Sequence, residues 1–265
     1  MMRVFVAGIG LLGPGLAGWP ASRPVLCGEV PFQPVEFPLP QVVRLPAAER
    51  RRTGAVVKLA IATGLEALTH AGCDAANMAT VFTSSGSDGD TIDAILAVLA
   101  ADQREVSPTR FHNSVHNAPS GYWALACAAT APSTSLCGFD GSFAIGLLDA
   151  AAQAIVENRA VTLIAYDLPY PEPLHAVRAI GASFGVALVL TPQRTAGSLA
   201  ELGIRLCQDG GRGTVLANSG LEALRLNNPA ARSLPLLLAI ASGGGSDVAI
   251  EGIDGAVVTI DVMMP

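Results

Sequence analysis

The sequence is short of charged and of aromatic side chains. Of its 265 residues, 14 % are charged and 5 % are aromatic, whereas charged residues make up about 25 % of an average soluble protein. Apolar residues make up 51 %. Two arrangements hide that much apolar surface from water: a thick, alanine-rich α/β core, or such a core together with a subunit interface. The composition is compatible with both.

Basic residues are scarce as well. The 16 Lys and Arg residues are outnumbered by 22 Asp and Glu residues, and the net charge is −6. A protein that coats nucleic-acid phosphates has Lys and Arg clustered on one face. The one basic run, Arg50–Arg52, is typical of the solvated approach to a helix. The sequence therefore predicts no nucleic-acid partner.

Cysteines are few and do not form a dense framework. They are Cys27, Cys73, Cys127, Cys137 and Cys207, an odd number without a CxxC pair. This usage predicts a reduced, cytoplasmic compartment. Pro14 and Pro20 interrupt the apolar N-terminal stretch, which argues against a signal peptide. Because we find no run of about 18 apolar residues, we expect no membrane span.

Short apolar runs bounded by Gly, Pro, Ser or Asp predict β-strands. They are Val4–Ala7, Thr80–Thr83, Ser133–Cys137, Val161–Tyr166, Val186–Leu190, Leu234–Ile240 and Ala256–Val262. Helical spacing or capping residues between them predict helices. These are Val57–Leu68, Ile92–Leu99 capped by Asp90, a helix from Asn117 through Pro119 to Leu125, and Ser142–Val156. Such alternation predicts a layered α/β fold with a buried sheet.

The pattern weakens after Pro192. The remaining residues, 193–265, hold about three predicted strands and one helix around Leu221–Arg232. No composition shift marks a domain boundary. We therefore predict a first unit of residues 1–192 and a shortened C-terminal layer, residues 193–265, packed on the first as one unit.

A glycine-rich motif follows the first predicted strand. The run Gly8–Gly13 spells G-x-G-x-x-G, which in a dinucleotide-binding fold cradles a phosphate at a helix N-terminus. That interpretation requires a helix directly after Gly13, and Pro14, Gly18 and Pro20 disfavour one. The alternative is a tight turn that leaves the first strand.

Two groups of side chains are spaced like metal ligands. His112 and His116 are four residues apart, but in a stretch that reads as a loop and without a matching third ligand. Asp88, Asp90 and Asp93 resemble part of a calcium loop that lacks its terminal Glu. Turn formation and helix capping explain these carboxylates better. The sequence therefore predicts no metal and no cofactor.

The stretch Ala131–Gly146 predicts a strand, a sharp glycine turn and then a helix. A nucleophile at such a turn faces a helix N-terminus, which would lower a thiol pKa and supply N–H donors to an oxyanion. Cys137 is therefore a candidate nucleophile. The alternative is a buried cysteine at the end of a strand.

Several segments, in order, resemble the N-terminal half of β-ketoacyl-acyl carrier protein synthases. They are Val4–Gly10 followed by Pro14, Val57–Gly72, Val81–Gly86, Val106–Gly121, Ala131–Gly146 and Phe184–Leu190. The resemblance covers about residues 2–192. It implies a thiolase-like α/β fold, with one complete mixed five-stranded sheet, helices on both faces, and a reduced second sheet.

Two departures from that family concern its catalytic residues. Counted back from Ile145-Gly146, the family's cysteine position falls on Gly138, one residue after Cys137. A slip of one residue along a strand turns the side chain to the other face. The family's histidines, in a His-Gly-Thr and a Gly-His stretch, are also missing, and His175 is the one histidine after Cys137. Decarboxylative condensation needs a thiolate and donors for the developing oxyanion.

The resemblance therefore implies a non-catalytic, chain-length-factor-like subunit of type II polyketide or aryl polyene systems. Such a subunit pairs with a full-length ketosynthase that elongates acyl chains on an acyl carrier protein; a homodimer is the other possible pairing. The alternative function is an independent acyl-transfer or thioester-hydrolysing enzyme that uses Cys137. The acyl carrier protein is an indirect partner in the first case.

The resemblance also implies where the partner binds. In that family the strand before the cysteine pairs with its counterpart across a two-fold axis, and here that strand includes Ser133 and Ser135. The loop and helix upstream of it lie against the partner's acyl tunnel. The candidates for interface or tunnel contacts there are Phe111, His116, Tyr122 and Trp123, since large rigid rings suit an interface core. Packing of Tyr122 and Trp123 inside this subunit is the alternative.

Overall fold

The computed structural model describes residues 1–102, 104–208 and 211–265, which form nine strands and ten α-helices. The strands are β1 (Met2–Gly13), β2 (Leu16–Ala17), β3 (Ala79–Thr83), β4 (Ser133–Leu136), β5 (Val161–Asp167), β6 (Phe184–Thr191), β7 (Ala200–Cys207), β8 (Ser246–Glu251) and β9 (Val257–Met263). The helices are α1 (Trp19–Leu26), α2 (Ala47–Arg52), α3 (Ala55–Ala71), α4 (Gly89–Ala100), α5 (Pro108–Asn113), α6 (Ala118–Cys127), α7 (Ser142–Val156), α8 (Leu174–Val177), α9 (Ser219–Asn227) and α10 (Leu234–Ala241).

The described strands belong to one mixed sheet, in the order β4-β3-β5-β6-β1-β7-β9-β8, with β2 paired to β1. Strand β3 runs parallel to β4 and β5, whereas β6 runs antiparallel to β5 and β1. The first five strands in this order lie within residues 2–191 and form the mixed five-stranded sheet that was expected. The α/β layered fold class is confirmed.

The C-terminal strands differ from the expectation because they do not form a separate second sheet. Strand β1 pairs with β6 from Phe5 to Leu12 and with β7 from Met2 to Val6. Phe5 and Val6 pair with both strands, so β7 lies along the edge of β1 that is opposite to β6. Strands β7, β9 and β8 continue the same sheet from that edge.

Helices cover both faces of the sheet, and the side chains of β6 show how the faces are divided. Val186 and Leu188 belong to the apolar cluster that contains α7 and α10. Ala187 and Val189 belong to the cluster that contains α3 and α6. Alternate residues of a strand point to opposite faces, so an uninterrupted apolar strand is buried on both sides, as its sequence predicts.

The glycine-rich motif does not form a phosphate cradle, and the dinucleotide interpretation is wrong. Strand β1 extends through Gly13, and a hairpin to β2 follows instead of a helix. Gly8 and Gly10 face α3, and a Cβ on either would collide with a backbone carbonyl oxygen, that of Ala67 or Thr63. These glycines allow a helix to pack closely on the strand.

The segment that was predicted as the strand Leu234–Ile240 is instead the helix α10. Pro235 lies in its first turn, where the missing N–H group costs nothing and the fixed φ of proline suits a helix. The rest of the run is Leu and Ala with a single β-branched residue, a composition that favours a helix over a strand. A short apolar run alone does not distinguish the two.

One stretch of the described residues, Phe139–Val156, has the length and hydropathy of a membrane span, with a mean hydropathy of 1.3 over 18 residues. The window contains Asp140, Ser142, Asp149 and Gln153, so it is not an uninterrupted apolar run. Half of this window is buried inside the fold, where Phe143, Leu147 and Ala151 of α7 pack in the core. This packing accounts for the apolar character of the helix.

Candidate functional site

The connection from β4 to α7 forms a sharp elbow at the end of the sheet. We define the elbow as residues 137–142, between the last residue of β4 and the first turn of α7. The Ser142 hydroxyl accepts a hydrogen bond from the Gly138 amide at 3.0 Å and donates one to the Phe139 carbonyl at 2.7 Å. A tight turn of this kind directs the residues at its apex towards the helix N-terminus.

Gly138, which the resemblance places at the family's cysteine position, faces apolar side chains. A Cβ built on Gly138 would collide with Cδ1 of Ile145 and lie 3.3 Å from Cδ1 of Ile253. A Cβ on Gly141 would lie 2.6 Å from the carbonyl carbon of Gly252. The turn between β8 and β9 therefore packs directly on the elbow, and a side chain at Gly138 would require the end of the Ile145 side chain to shift.

Cys137 faces a different part of the structure from Gly138. Cys137 is exposed, and its Sγ donates a hydrogen bond to the Ser85 carbonyl oxygen at 3.2 Å. The thiol is thus directed at the loop after β3, whereas a side chain at Gly138 would point at Ile145 of α7. Neighbouring residues at the end of a strand point to opposite faces.

A buried carboxylate lies beside this loop, and the sequence analysis did not identify it. Asp167 is fully buried at the end of β5, and its Oδ1 accepts hydrogen bonds from the Ser84 hydroxyl at 3.2 Å, the Ser85 amide at 2.8 Å and the Ser85 hydroxyl at 2.7 Å. Its Oδ2 has no hydrogen-bond partner among the described residues. Burial raises the pKa of Asp167 to about 6, although the serine hydrogen bonds oppose the shift.

A sequence signal for this cluster did exist. Asp167 and the pair Ser84-Ser85 directly follow the buried residues of β5 and β3. These two strands pair in parallel, with Thr83 opposite Ala165. Because the carboxyl ends of parallel strands meet at one edge of the sheet, polar residues that follow both strands come together there.

An ion-pair group braces the elbow from the other side. Asp140 accepts hydrogen bonds from Arg178 at 2.9 Å and from Arg232 at 3.1 Å. The Arg178 guanidinium also lies 3.5 Å from the centre of the Phe139 ring, as in a cation–π contact. Phe139 has a φ of 50°, in the left-handed region that a bulky residue rarely adopts. These contacts hold Phe139 in that conformation.

Two of the predicted interface side chains are instead packed inside this subunit. Tyr122 and Trp123 are 2 % and 1 % exposed. The Tyr122 hydroxyl donates to Oδ1 of Asn113 at 3.0 Å, and the Trp123 ring packs edge-on against Phe82 with ring centres 6.0 Å apart. Both lie on the face of α6 that packs against α3 and the sheet, so the prediction that they project towards a partner is corrected.

The other candidates have different surroundings. Phe111 is 67 % exposed, Ser133 is exposed and Ser135 is half-buried on β4. His116 is half-buried, with Nε2 3.3 Å from the Ser84 carbonyl oxygen. His112 packs edge-on against Tyr122, so the two histidines contact different groups. No cluster of three metal-ligating side chains occurs among the residues that the structure describes.

An unusually apolar surface extends over α4, α5 and α6. Helix α4 begins after Asp88, which accepts a hydrogen bond from the Thr91 amide at 3.1 Å; the sequence had indicated Asp90 as the cap. Although the helix is largely apolar, Gly89 is its one buried residue. We define the α4–α6 surface by the exposed apolar residues of these helices and the connection between α5 and α6: Leu96, Leu99, Phe111, Val115 and Leu125.

The α4–α6 surface adjoins an unpaired strand edge. Strand β4 is the last strand of the sheet and pairs with β3 alone among the described strands. It lies beside α6, where Ser135 Oγ is 3.5 Å from Ser120 Oγ. An open strand edge beside exposed apolar helices is a surface that proteins normally cover.

The raised pKa of Asp167 predicts how stability depends on pH. The folded-state pKa of about 6 exceeds the ordinary value of 3.8, so the protonated carboxyl stabilises the fold below pH 4, and this contribution is lost as the pH rises through 6. Asp167→Asn removes the titration. Between pH 4 and 7.5, urea unfolding should show wild-type stability falling relative to the variant by roughly 3 kcal/mol. A difference that stays constant over this range would contradict the buried, partly unpaired carboxyl.

Comparison with known proteins identifies the family of the chain. The family model described as "Beta-ketoacyl synthase, N-terminal domain" matches residues 27–222. Among curated protein sequences, no relative matches.

Solved structures share the fold at low sequence identity. One is a ketosynthase (ApeO) in complex with its chain length factor (ApeC) from Xenorhabdus doucetiae, with 22 % identity, a TM-score of 0.73 and coverage of 98 % of this chain and 100 % of that one. The ishigamide ketosynthase/chain length factor matches with 14 % identity, a TM-score of 0.68 and coverage of 100 % and 99 %. A β-ketoacyl synthase from Burkholderia phymatum matches with 15 % identity, a TM-score of 0.62 and coverage of 87 % and 71 %. These structures share the α/β fold of this chain. Since the family model covers well over half of the chain, the protein belongs to the β-ketoacyl synthase N-terminal domain family.

Proposed function

We propose that this chain is a non-catalytic, chain-length-factor-like subunit that pairs with a catalytic ketosynthase. The ketosynthase would elongate an acyl or polyketide chain on an acyl carrier protein. The observation that supports this proposal most directly is the elbow: Gly138 stands at the family's cysteine position, and the side chains of Ile145 and Ile253 fill the space beside it.

The rest of the condensing chemistry has no residues to perform it. The sequence contains four histidines, His70, His112, His116 and His175. None belongs to a His-Gly-Thr or Gly-His stretch, and His175 lies on the short helix α8 in the connection between β5 and β6. Without a thiolate and a pair of oxyanion donors, decarboxylative condensation has no catalytic advantage over the uncatalysed reaction.

The exposed surfaces support a protein partner. The α4–α6 surface and the free edge of β4 lie side by side, and the resemblance implies that this region forms the dimer interface. A partner strand added to β4 would pair its free backbone groups, and the adjoining apolar helices would be buried in the same step. Of the structural relatives, two are described as ketosynthases with chain length factors. By analogy, we propose a heterodimer, with a homodimer as the alternative outcome.

The same analogy suggests how the acyl carrier protein is involved. One structural relative, with 14 % identity, a TM-score of 0.75 and coverage of 100 % of this chain and 99 % of that one, is described as a type II polyketide acyl-carrier protein in complex with its ketosynthase bound to the hexaketide. We propose that the carrier delivers its thioester to the catalytic partner, and that this chain contributes surface and tunnel wall.

The alternative function, an enzyme that uses Cys137, has less support. The Cys137 thiol is hydrogen-bonded to the Ser85 carbonyl, an acceptor that does not stabilise a thiolate. A nucleophilic thiol needs a neighbouring cation, an imidazole base or a helix N-terminus. The side chain that would point at α7 is absent, because that position is Gly138.

The first prediction of the proposed function concerns the chemistry of the isolated chain. The pure protein should show no condensation of acyl and malonyl thioesters in a product assay by mass spectrometry, and Gly138→Cys should not create activity, because no histidine pair is present. Cys137→Ser serves as the matched control and should also show no change. Turnover by the wild-type chain that is lost in Cys137→Ser would contradict the non-catalytic assignment and favour the alternative enzyme.

The second prediction concerns the partner interface. Leu99, on α4, is 45 % exposed in this chain, and Leu99→Asp would bury an unpaired charge in the complex. Co-expression with a ketosynthase from the same source, followed by size-exclusion chromatography, should show that the variant loses the heterodimer while the chain stays folded. Val177→Asp, at an 85 % exposed position on α8, is the matched control and should still form the complex. Equal behaviour of the two variants would contradict the proposed interface.

The third prediction concerns product length. Of the four aromatic and imidazole side chains that were candidates for the tunnel, Phe111 and His116 remain accessible. Phe111→Ala or His116→Ala should open space for additional methylenes, so the complex should form normally and release longer products, measured by mass spectrometry. Trp123→Ala is a useful comparison because it should lower stability by about 3–5 kcal/mol. Unchanged product length in both accessible-site variants would exclude these residues from the tunnel wall.

A further inference from the structure

A cleft lies away from the elbow and shares no residue with it. Its volume is about 520 Å³, and it opens between α1, the C-terminal end of α3 and the end of α10. Small-molecule sites commonly have volumes of about 300–1,000 Å³ and combine apolar walls with a few polar groups. The apolar wall here includes Trp19, Leu199, Ile240 and Met264.

Arg23 supplies positive charge to this cleft. The Arg23 side chain makes one long hydrogen bond, from Nη2 to the Ala241 carbonyl oxygen at 3.4 Å. Within the described part of the chain, no carboxylate lies within ion-pair distance of its guanidinium. A guanidinium presents five donors in a planar fork that fits a carboxylate or phosphate. Arg23 is exposed to solvent, so its remaining donors can reach an anion that comes from outside the chain.

His70 adds a second donor to the cleft, and a hydrogen bond from strand β1 sets the tautomer of its imidazole ring. Strand β1 no longer pairs with β7 beyond Val6, and the Ile9 amide on that edge donates to Nδ1 of His70 at 3.2 Å. A neutral imidazole whose Nδ1 accepts has its hydrogen on Nε2. The ring nitrogen that the strand leaves unused is therefore a donor, and His70 lines the cleft.

We propose that this cleft binds a small organic anion with an apolar body, whose carboxylate or phosphate headgroup is held by Arg23 and His70. The apolar body would lie against Leu199 and Met264, the more accessible apolar residues of the lining, beside the edge of Trp19. Glu29 is the acidic residue of the cleft lining, and its charge opposes an anionic ligand. This proposal does not depend on the partner-subunit function, because neither the α4–α6 surface nor the elbow contributes to the cleft.

Trp19 provides a direct measurement of binding. The chain has two tryptophans, and Trp123 lies in the core on the opposite face of the sheet. Titration with decanoate or decyl phosphate, below the concentrations at which they form micelles, should change the fluorescence in a saturable way. The signal should be lost in Trp19→Phe. The tighter of the two ligands identifies the headgroup.

Three charge variants test the assignment of the anion site. Arg23→Gln should raise the Kd about tenfold, the effect of losing one charge-assisted hydrogen bond. Glu29→Gln should lower the Kd, because it removes the opposing charge. Arg51→Gln, at an exposed arginine of α2 that does not line the cleft, is the matched control and should leave the Kd unchanged. Thermal melting verifies that each variant is folded. If Arg23→Gln does not fold, Glu29→Gln still tests the charge dependence of binding.

Two further probes, decanol without the charge and inorganic phosphate without the apolar body, distinguish recognition of an organic anion from nonspecific adsorption. Decanol should bind much more weakly than decanoate, and inorganic phosphate much more weakly than decyl phosphate. If decanol binds as tightly as decanoate, the cleft recognises no anion. If inorganic phosphate binds as tightly as decyl phosphate, the apolar wall plays no part. Either result, absence of any saturable signal, or equal effects of Arg23→Gln and Arg51→Gln would overturn the proposal.

Discussion

The pairing of β1 on both of its edges is the constraint on which the rest of the structure depends. Its second half completes the mixed five-stranded sheet by pairing with β6, and its first half begins the C-terminal extension by pairing with β7. Close packing of α3 on Gly8 and Gly10 fixes the strand from one face. Where β1 leaves β7, side chains of α3 take over: Glu66 accepts from the Leu11 and Trp19 amides, and His70 accepts from the Ile9 amide. The backbone N–H groups on this edge of β1 therefore have hydrogen-bond partners without a further strand.

The elbow has the geometry of a nucleophile turn, with a strand, a sharp turn and a helix in succession. Helix α7 still begins at the end of β4, with Asp140 held between two arginines. The C-terminal strands also contribute to the packing at the elbow, because Ile253 and Gly252 of the turn between β8 and β9 pack on Gly138 and Gly141. That turn is itself tied down, since Glu251 receives two hydrogen bonds from Arg225, which Glu222 also binds. The polar cluster at Asp167 lies beside this turn, where Ser85 also accepts the hydrogen bond of the Cys137 thiol.

The low charge content now has two structural sources. Much of it reflects the central strands of the sheet, which are buried on both faces, and the face of α7 that packs on the sheet. The remainder includes α4, an apolar helix that this chain leaves largely uncovered. Composition could not separate a large core from an interface, because both place the same residue types out of contact with water. The structure separates them by showing which apolar residues already have neighbours.

By itself, the sequence determined the alternation of strands and helices, because periodicity and glycine or proline boundaries are local signals; α7 occupies the predicted residues Ser142–Val156. By resemblance, a count back from Ile145-Gly146 also places the family's cysteine position at Gly138. The helix Leu234–Ala241 had local signals, Pro235 in its first turn and a composition of Leu and Ala, which the strand prediction did not use. Tertiary structure alone decided that Trp123 faces inwards, because a lone ring fits either arrangement until its neighbours are known. It also decided that β7 joins β1, and that Asp167 meets Ser85, 82 residues away. Such contacts depend on how distant strands are ordered in the sheet, and no local pattern encodes that order.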